Sequence, residues 1–337
     1  MFSPDLQHDA MLRKKPLLRF DGSIPFEEQQ NLLRERLRAS LGDEPEPVEP
    51  RAECELTEET EQWACYRIVF NAEEHVKAVC SLLMPKTDRP VGLAVCMQGH
   101  TTGMHISLGK TVFPRDKETS DRNIAFTALS HGFAALCVEQ RGMGERRTDR
   151  CLGGGEDDGL PRCRYTAVNA ILLGRTLLGE RIFDISRSVD VALSLFPQLD
   201  EKRLIITGNS GGGTASFYAA CMDTRFAACM PNGAFCSYLD SIAEIWHCPC
   251  NYLPGSAKYF DMGDLAALIA PRGLIVVYGD EDPIFPLRGV EANAGIARSV
   301  YTAAGAPERF MAVRAKGGHR YYKEETWSAF EAMRVFG

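Results

Sequence analysis

A serine lies where a predicted buried strand meets a predicted helix, in the segment 204–213 (LIITGNSGGG). The segment contains G-x-S-x-G centred on Ser210, and alanine-rich sequence follows it. Glycines on both sides of a serine permit a sharp strand-to-helix turn that projects the hydroxyl above the sheet. The helix N-terminus and the next amide, that of Gly211, can then stabilise an oxyanion. The pattern predicts that Ser210 is a nucleophile, and a purely structural glycine-rich turn is the alternative.

A serine of this kind needs an acid and a histidine, which follow it along the chain in that order. Downstream of Ser210, the apolar run 273–278 (GLIVVY) leads into GDEDPIFP. We favour Asp282 as the acid because it stands three residues after the glycine of that segment and four before its last proline. Asp280 and Glu281 are the alternatives, and a solvated acidic turn would leave all three without a role.

The predicted general base is His319. It follows the predicted strand 308–313 in a loop with two glycines (AKGGHR), which lets an imidazole reach back over the strand ends. No other histidine follows His247, so the order serine, acid, histidine leaves no second candidate. In this arrangement His319 takes the serine proton while Asp282 orients the imidazole.

A second backbone donor for the oxyanion is expected in the loop 97–103 (MQGHTTG). The amide of His100 is the candidate, and Gly99 permits the turn that presents it. With the amide of Gly211 it would stabilise a tetrahedral intermediate. The side chain of His100 either lines the acyl pocket or has a structural role.

The segment 235–261 interrupts the regular order of elements and is predicted to be an insertion near the carboxyl ends of the strands, where ligands bind in such sheets. Trp246 and His247 from this insertion, with Gln98, are predicted to line the substrate pocket. The sequence HCPC at 247–250 resembles part of a zinc site. A closed structural site needs four ligands and no matching pair is evident, so no metal is expected.

The elements that must position these residues alternate between strand and helix, which predicts an α/β fold with a doubly wound, mostly parallel sheet. Two or three antiparallel strands are expected at its start, over residues 54–84. The predicted parallel strands are 91–97, 134–138, 203–207, 227–231, 273–278 and 308–313. The predicted helices are 123–130, 165–196, 212–222, 263–269, 287–304 and 324–335.

The first fifty residues differ from the rest of the chain. Residues 26–41 carry leucines at helical spacing, at positions 32, 33, 37 and 41, and the acidic, proline-rich segment 42–50 is typical of a linker. We therefore predict an N-terminal helical arm and linker over 1–50 and a catalytic domain over 51–337. The arm could cover a core face, roof the active site or contact a second subunit.

The composition of the chain limits the classes of binding partner and the cellular location that we expect. The chain has 337 residues and a formal net charge of -7, which disfavours nucleic acid and acidic membranes. No apolar signal segment is evident and the twelve cysteines are irregularly spaced, so reduced thiols and a cytoplasmic location are expected. The segment 151–159 (CLGGGEDDG) predicts an acidic loop, for which calcium binding is a weak alternative. A small-molecule ester is the expected partner. The sequence does not decide the oligomeric state, and a homodimer is one alternative.

Five segments together resemble the α/β-hydrolase superfamily, and more narrowly its acetyl xylan esterase-like and dienelactone hydrolase-like branch. They are QGH at 98–100, EQRGMG at 139–144, GNSGG at 208–212, GDEDP at 279–283 and GH at 318–319. The resemblance runs from about residue 60 to the C-terminus. The sequence has Gln98-Gly99 where the branch has His-Gly. It also has a serine nucleophile where dienelactone hydrolases have cysteine, which counts against their reaction.

The resemblance implies a serine hydrolase without metal or organic cofactor, most simply a carboxylesterase on small esters. Acetylated carbohydrate is the preferred substrate on the resemblance alone. The alternatives are a peptidase or amidase with the same triad, a hydrolase of carbon–carbon bonds, and a non-catalytic binding protein on this scaffold. The intact order of Ser210, Asp282 and His319 argues against the last, because a degenerate copy would have lost at least one of them.

Overall fold

The computed structural model describes residues 2–119, 122–148 and 159–337. These residues form a nine-stranded sheet with the strand order β1-β2-β3-β5-β4-β6-β7-β8-β9. The strands are β1 (Glu53–Glu59), β2 (Trp63–Glu73), β3 (Val76–Pro85), β4 (Val91–Met97), β5 (Phe133–Val138), β6 (Leu199–Asn209), β7 (Phe226–Asn232), β8 (Gly273–Gly279) and β9 (Phe310–Ala315). The acidic loop predicted at 151–159 lies, apart from Gly159, outside the described residues.

The sheet is antiparallel at one end and parallel over the rest. β1, β2 and β3 form a meander, and β3 pairs antiparallel with β5. From β5 to β9 every neighbouring pair is parallel. Every residue of β4, β5 and β8 is buried, as expected of parallel strands covered on both faces. The predicted mixed, mostly parallel sheet is confirmed.

Helices cover both faces of the sheet. On one face, α2, α5, α6 and α9 contribute to a core that includes Leu33, Phe217 and Val290. On the other face, α3 and α10 contribute Ile124 and Trp327 to a second core. The helices are α1 (Asp5–Leu12), α2 (Phe26–Leu41), α3 (Ile124–Ser130), α4 (Cys163–Leu172), α5 (Leu177–Leu195), α6 (Gly211–Met222), α7 (Ser256–Tyr259), α8 (Met262–Leu265), α9 (Leu287–Ala303) and α10 (Lys323–Met333).

The single helix predicted over 165–196 is wrong, because the structure divides it into α4 and α5. Gly174 follows the end of α4 with a φ of 77°, the left-handed conformation that glycine adopts freely after a helix. The hydroxyl of Thr176 then accepts a hydrogen bond of 3.0 Å from the amide of Gly179 and caps the start of α5. Before the break, Cys163 and Ala167 of α4 pack with Cys250 of the insertion.

Helix α2 covers a core face, which is one of the three roles left open for the arm. Leu33 and Leu37 have no exposed surface, whereas Leu32, which was predicted to share their apolar face, is 37% exposed and lies outside it. The linker after α2 is anchored, since Gly42 forms a β-bridge with Arg175. The core thus extends under the arm.

In the part of the chain that the structure describes, no helix combines the length and the apolar character needed to cross a membrane. The eleven cysteines in that part are free thiols, and nine of them are buried. Cys54 is exposed and Cys248 is half-buried.

Candidate active site

Ser210 occupies the sharp turn that its sequence predicts. It stands between β6 and α6 with φ 52° and ψ −123°, a conformation that is strained for a residue with a side chain. Its amide donates a 2.9 Å hydrogen bond to the carbonyl of Asn232 at the end of β7, and its carbonyl accepts from Thr214 at 2.8 Å. The neighbouring strand and the first turn of α6 therefore hold the strained serine in place.

The turn depends on a close approach between α6 and the loop after β4. A Cβ atom built on Gly212 would lie 2.2 Å from the carbonyl oxygen of Gln98. A side chain cannot be accommodated there without moving backbone. This contact brings the first turn of α6 against the loop that was predicted to supply the second oxyanion donor.

Asp282 and His319 are in direct contact. Oδ2 of Asp282 lies 2.8 Å from Nδ1 of His319, and the carboxylate side chain is 1% exposed. Its other oxygen, Oδ1, accepts hydrogen bonds from the amides of Ile284 at 2.8 Å and Phe285 at 3.1 Å. A carboxylate can only accept, so it fixes the proton on Nδ1 and leaves Nε2 free to act as a base.

Asp280, the alternative candidate for the catalytic acid, has a structural role. Its Oδ1 accepts a 3.0 Å hydrogen bond from the amide of Gly317, and its Oδ2 lies 3.6 Å from a guanidinium nitrogen of Arg314. Asp280 therefore fastens the end of β8 to the loop that carries His319. Of the two aspartates, the one in contact with the imidazole is Asp282.

The two predicted oxyanion donors lie side by side. A Cβ atom built on Gly211 would be 3.6 Å from the backbone nitrogen of His100 and 3.5 Å from its Cβ. Gly211 is also the first residue of α6, so its amide points out of a helix N-terminus. The backbone nitrogen of His100 therefore lies close to Gly211, beside Ser210, as the predicted oxyanion site requires.

The three predicted pocket residues have different surroundings. Gln98 has no exposed surface and its amide nitrogen donates to Glu139 at 3.3 Å, so it packs beneath the loop and does not face a pocket. Trp246 is 77% exposed. His247 is half-buried, its ring lies 5.8 Å from that of Phe285, and burial lowers its pKa.

The loop after β5 is fixed by charged side chains. Burial raises the pKa of Glu139 to about 7, although the amide of Met104 donates to its carboxylate at 3.0 Å. Arg141 pairs with Asp184 at 2.8 Å and with Glu73 at 2.7 Å. Arg141 therefore joins the loop to α5 and β2.

Two contributors to the site were not predicted from the sequence. The ring of Phe285 stacks on His319 with ring centroids 5.7 Å apart and an interplanar angle of 19°. Asn232 accepts from Ser210 through its carbonyl and from the amide of Tyr322 through Oδ1 at 3.0 Å. Asn232 thus connects the serine turn to the segment after His319. The available signal was position, since Asn232 is the last residue of β7 and Phe285 lies in the loop after β8.

Beside the loop 97–103, the predicted oxyanion loop, four side chains form a group with the chemistry of a metal site. The ligand atoms of His100, Cys163, Cys248 and Cys250 all lie within 4.8 Å of one another. His100 is the exposed member of this group, whereas Cys163 and Cys250 are buried. His247 is not a member of this group, although its neighbours Cys248 and Cys250 are.

Comparisons with known proteins agree with this architecture. YtaP of Bacillus subtilis (strain 168), provisionally named a hydrolase, is 26% identical over 295 residues, which are 85% of this chain and 92% of YtaP. A structure from Bacteroides fragilis NCTC 9343, provisionally named an acetyl xylan esterase, superposes with a TM-score of 0.77 at 19% identity, over 97% of this chain and 84% of its own. A glucuronoyl esterase from Solibacter usitatus gives 0.67 at 16% identity, over 96% and 98%. These structures share the α/β-hydrolase fold.

The family comparison is more specific. The model of the acetyl xylan esterase family (AXE1) matches residues 43–260. The matched segment includes Ser210, Gly211 and His100, and it ends before Asp282 and His319. The match confirms the resemblance to the acetyl xylan esterase-like branch. Since it covers more than half of the chain, the protein belongs to the acetyl xylan esterase (AXE1) family.

Proposed function

We propose that this protein is a serine carboxylesterase whose triad is Ser210, His319 and Asp282, and that it removes small acyl groups, acetyl above all, from carbohydrate esters. The observation that carries the proposal is the 2.8 Å contact between Asp282 and His319 in a fold that holds Ser210 on a strained turn. Membership of the acetyl xylan esterase family supports the class of substrate.

The reaction has two stages. His319 takes the proton of Ser210 as the serine oxygen attacks the ester carbonyl, and the amides of Gly211 and His100 stabilise the resulting oxyanion. Collapse of this intermediate breaks the bond to the alcohol, which leaves with the proton from His319. A water molecule then attacks the acyl-enzyme, His319 again acts as the base, and the carboxylic acid and free Ser210 are released.

Asp282 contributes throughout by orienting the imidazole and stabilising its protonated form. Its own position is fixed by the amides of Ile284 and Phe285, and the Phe285 ring covers one face of His319. The aromatic contact restricts the rotation of the imidazole. The base therefore does not depend on substrate for its orientation.

The test is hydrolysis of p-nitrophenyl acetate, butyrate and octanoate, and release of acetate from acetylated xylo-oligosaccharides. We expect acetate to be the fastest ester and Ser210→Ala to lose at least about 1000-fold in kcat. Ser299→Ala is the matched control, because that exposed hydroxyl bonds only to its own helix, to the carbonyl of Gly295 at 3.3 Å. The control should retain full activity.

The alternatives predict other results. Cleavage of an aminoacyl p-nitroanilide in preference to the esters would indicate a peptidase or amidase. Failure of a fluorophosphonate probe to label the folded protein at Ser210 would indicate a binding protein on this scaffold. Unchanged turnover by Ser210→Ala would refute the assignment of the nucleophile.

A further inference from the structure

Three thiols and one imidazole meet beside the oxyanion loop although they are far apart in the sequence. His100 follows β4, Cys163 is the first residue of α4, and Cys248 and Cys250 flank a proline in the insertion. Cys163 and Cys250 are 1% and 3% exposed. The short 3₁₀ turn Pro249–Asn251 packs against both α4 and α5. Three separate segments thus deliver side chains to one small volume.

A buried positive charge accompanies this cluster. Arg181 of α5 is 2% exposed, and its guanidinium donates to Sγ of Cys163 at 3.0 Å and to the carbonyl of Arg141 at 2.7 Å. Among residues 2–119, 122–148 and 159–337, no carboxylate forms an ion pair with Arg181. A buried cation needs a counter-charge, and a deprotonated Cys163, whose Sγ accepts from the guanidinium at 3.0 Å, can supply it.

The position of Cys163 in the fold also favours a thiolate. Cys163 begins a helix, and the N-terminus of a helix stabilises negative charge. The thiolate, not the thiol, is the form that binds metal.

We propose that His100, Cys163, Cys248 and Cys250 bind one Zn²⁺ ion in a closed structural site. Three cysteines and one histidine are an established donor set for structural zinc, and thiolate with imidazole selects zinc over calcium or magnesium. Zinc–sulfur bonds of about 2.3 Å place the sulfur atoms of a tetrahedral site about 3.8 Å apart. The present separations, all within 4.8 Å, need adjustments of about 1 Å.

Charge balance favours the same ion. Two positive charges on zinc and three thiolates leave one net negative charge, and the imidazole is neutral when it ligates. The guanidinium of Arg181 compensates that single negative charge. Arg181 thus acts as an outer partner that holds a ligand sulfur in place, as such partners do around many zinc sites.

A zinc ion at this site would affect the active centre by holding the oxyanion loop in position. His100 contributes its amide to the oxyanion site beside Gly211, while its side chain is a ligand. Zinc would therefore tie the oxyanion loop to α4 and to the insertion, and all four coordination positions are filled by protein. The ion takes no part in the reaction, so its presence can be tested separately from esterase activity.

The test is the metal content of the full chain, purified under reducing conditions, incubated with ZnCl₂ and passed through a desalting column. Elemental analysis should give about one zinc per chain. Co²⁺ in place of zinc should give the visible absorption of tetrahedral cobalt with a sulfur-to-cobalt charge-transfer band. Cys250→Ser should retain less than about a tenth of the zinc, whereas Cys54→Ser, which changes an exposed cysteine outside the cluster, should retain all of it.

Several results would overturn the proposal. They are folded wild-type protein that takes up neither zinc nor cobalt, cobalt bound without the sulfur band, and Cys250→Ser that keeps its zinc. A disulfide among Cys163, Cys248 and Cys250 in protein isolated under argon would show that the cluster is a redox pair. The cobalt spectrum uses wild-type protein, so the test holds even where a cysteine variant fails to fold.

Discussion

Asp282 binds His319 with one carboxylate oxygen and binds the backbone with the other. Oδ2 lies 2.8 Å from Nδ1, while Oδ1 accepts from two consecutive amides, those of Ile284 and Phe285. The hydrogen bonds from these two amides hold the carboxylate in place independently of the imidazole. Asp282 therefore holds His319 in a defined orientation. The effect of the charge of Asp282 can be tested separately from the effect of its position.

Asp282→Asn should keep the backbone contacts and lose the charge. We expect kcat to fall by about 10⁴-fold, because an amide favours the wrong tautomer of His319 and cannot stabilise the imidazolium. Asp280→Asn is the matched control and should change kcat by less than about tenfold, since Asp280 only braces the loop through Gly317 and Arg314. Steady-state kinetics with p-nitrophenyl acetate measure both, and equal losses would remove the assignment of Asp282.

The arm offers a second matched pair of variants. Leu37 of α2 has no exposed surface, and Leu32 on the same helix is 37% exposed. Leu37→Ala should lower the free energy of unfolding by about 2–5 kcal/mol, and Leu32→Ala by less than about 0.5 kcal/mol. Urea unfolding followed by circular dichroism measures the difference. Equal, small effects would mean that the arm does not share the core of the catalytic domain.

Much of this fold was predictable because its signals are local. The buried run at 91–97 became β4 with the same bounds, and residues 26–41 became α2 with the same bounds. The division of the helix 165–196 was also readable in principle, because Gly174 and Thr176 are a stop signal followed by a cap. The regular apolar pattern on either side concealed it.

Residues whose roles depend on tertiary contacts could not be predicted from such local signals. Choosing Asp282 over Asp280 rested on spacing, and the structure shows which of them meets the imidazole. The burial of Gln98 could not be foreseen, since a polar residue beside a glycine also suits an open pocket. The cluster of His100 and three cysteines was missed because its three segments, which contain His100, Cys163 and the pair at 248–250, are joined only in space.

Glu139 predicts a pH dependence of stability. Burial raises its pKa to about 7 in the folded protein, above the 4.5 expected of an unfolded glutamate. Between these values the folded state keeps a proton that the unfolded state releases, so the free energy of unfolding falls as pH rises. This contribution is complete below pH 4.5 and lost above pH 7, and its size is on the order of 3 kcal/mol.

Glu139→Gln should remove that slope between pH 4.5 and 7. Glu308→Gln is the control, because Glu308 is 69% exposed and lies 3.9 Å from its neighbour Arg309 at the surface. Unfolding in urea at several pH values measures the slope for each variant. If Glu139→Gln kept the wild-type slope, another group would be responsible for it.

The tight contact below Ser210 gives the last prediction. A methyl group on Gly212 would meet the carbonyl oxygen of Gln98 at 2.2 Å, so Gly212→Ala must push α6 away from the oxyanion loop. The donors of Gly211 and His100 would then separate. We expect a loss of about 100- to 1000-fold in kcat, the effect of removing one oxyanion donor, and destabilisation of about 1–3 kcal/mol. Gly295→Ala in α9 is the control, since a methyl group at that position would meet none of the described atoms within 4 Å other than its chain neighbours and its own helix backbone. That substitution should leave kcat unchanged and raise stability by about 0.5–1 kcal/mol, because alanine replaces glycine inside a helix. Should Gly212→Ala retain wild-type kcat, the close approach of the loop would not be needed for oxyanion stabilisation.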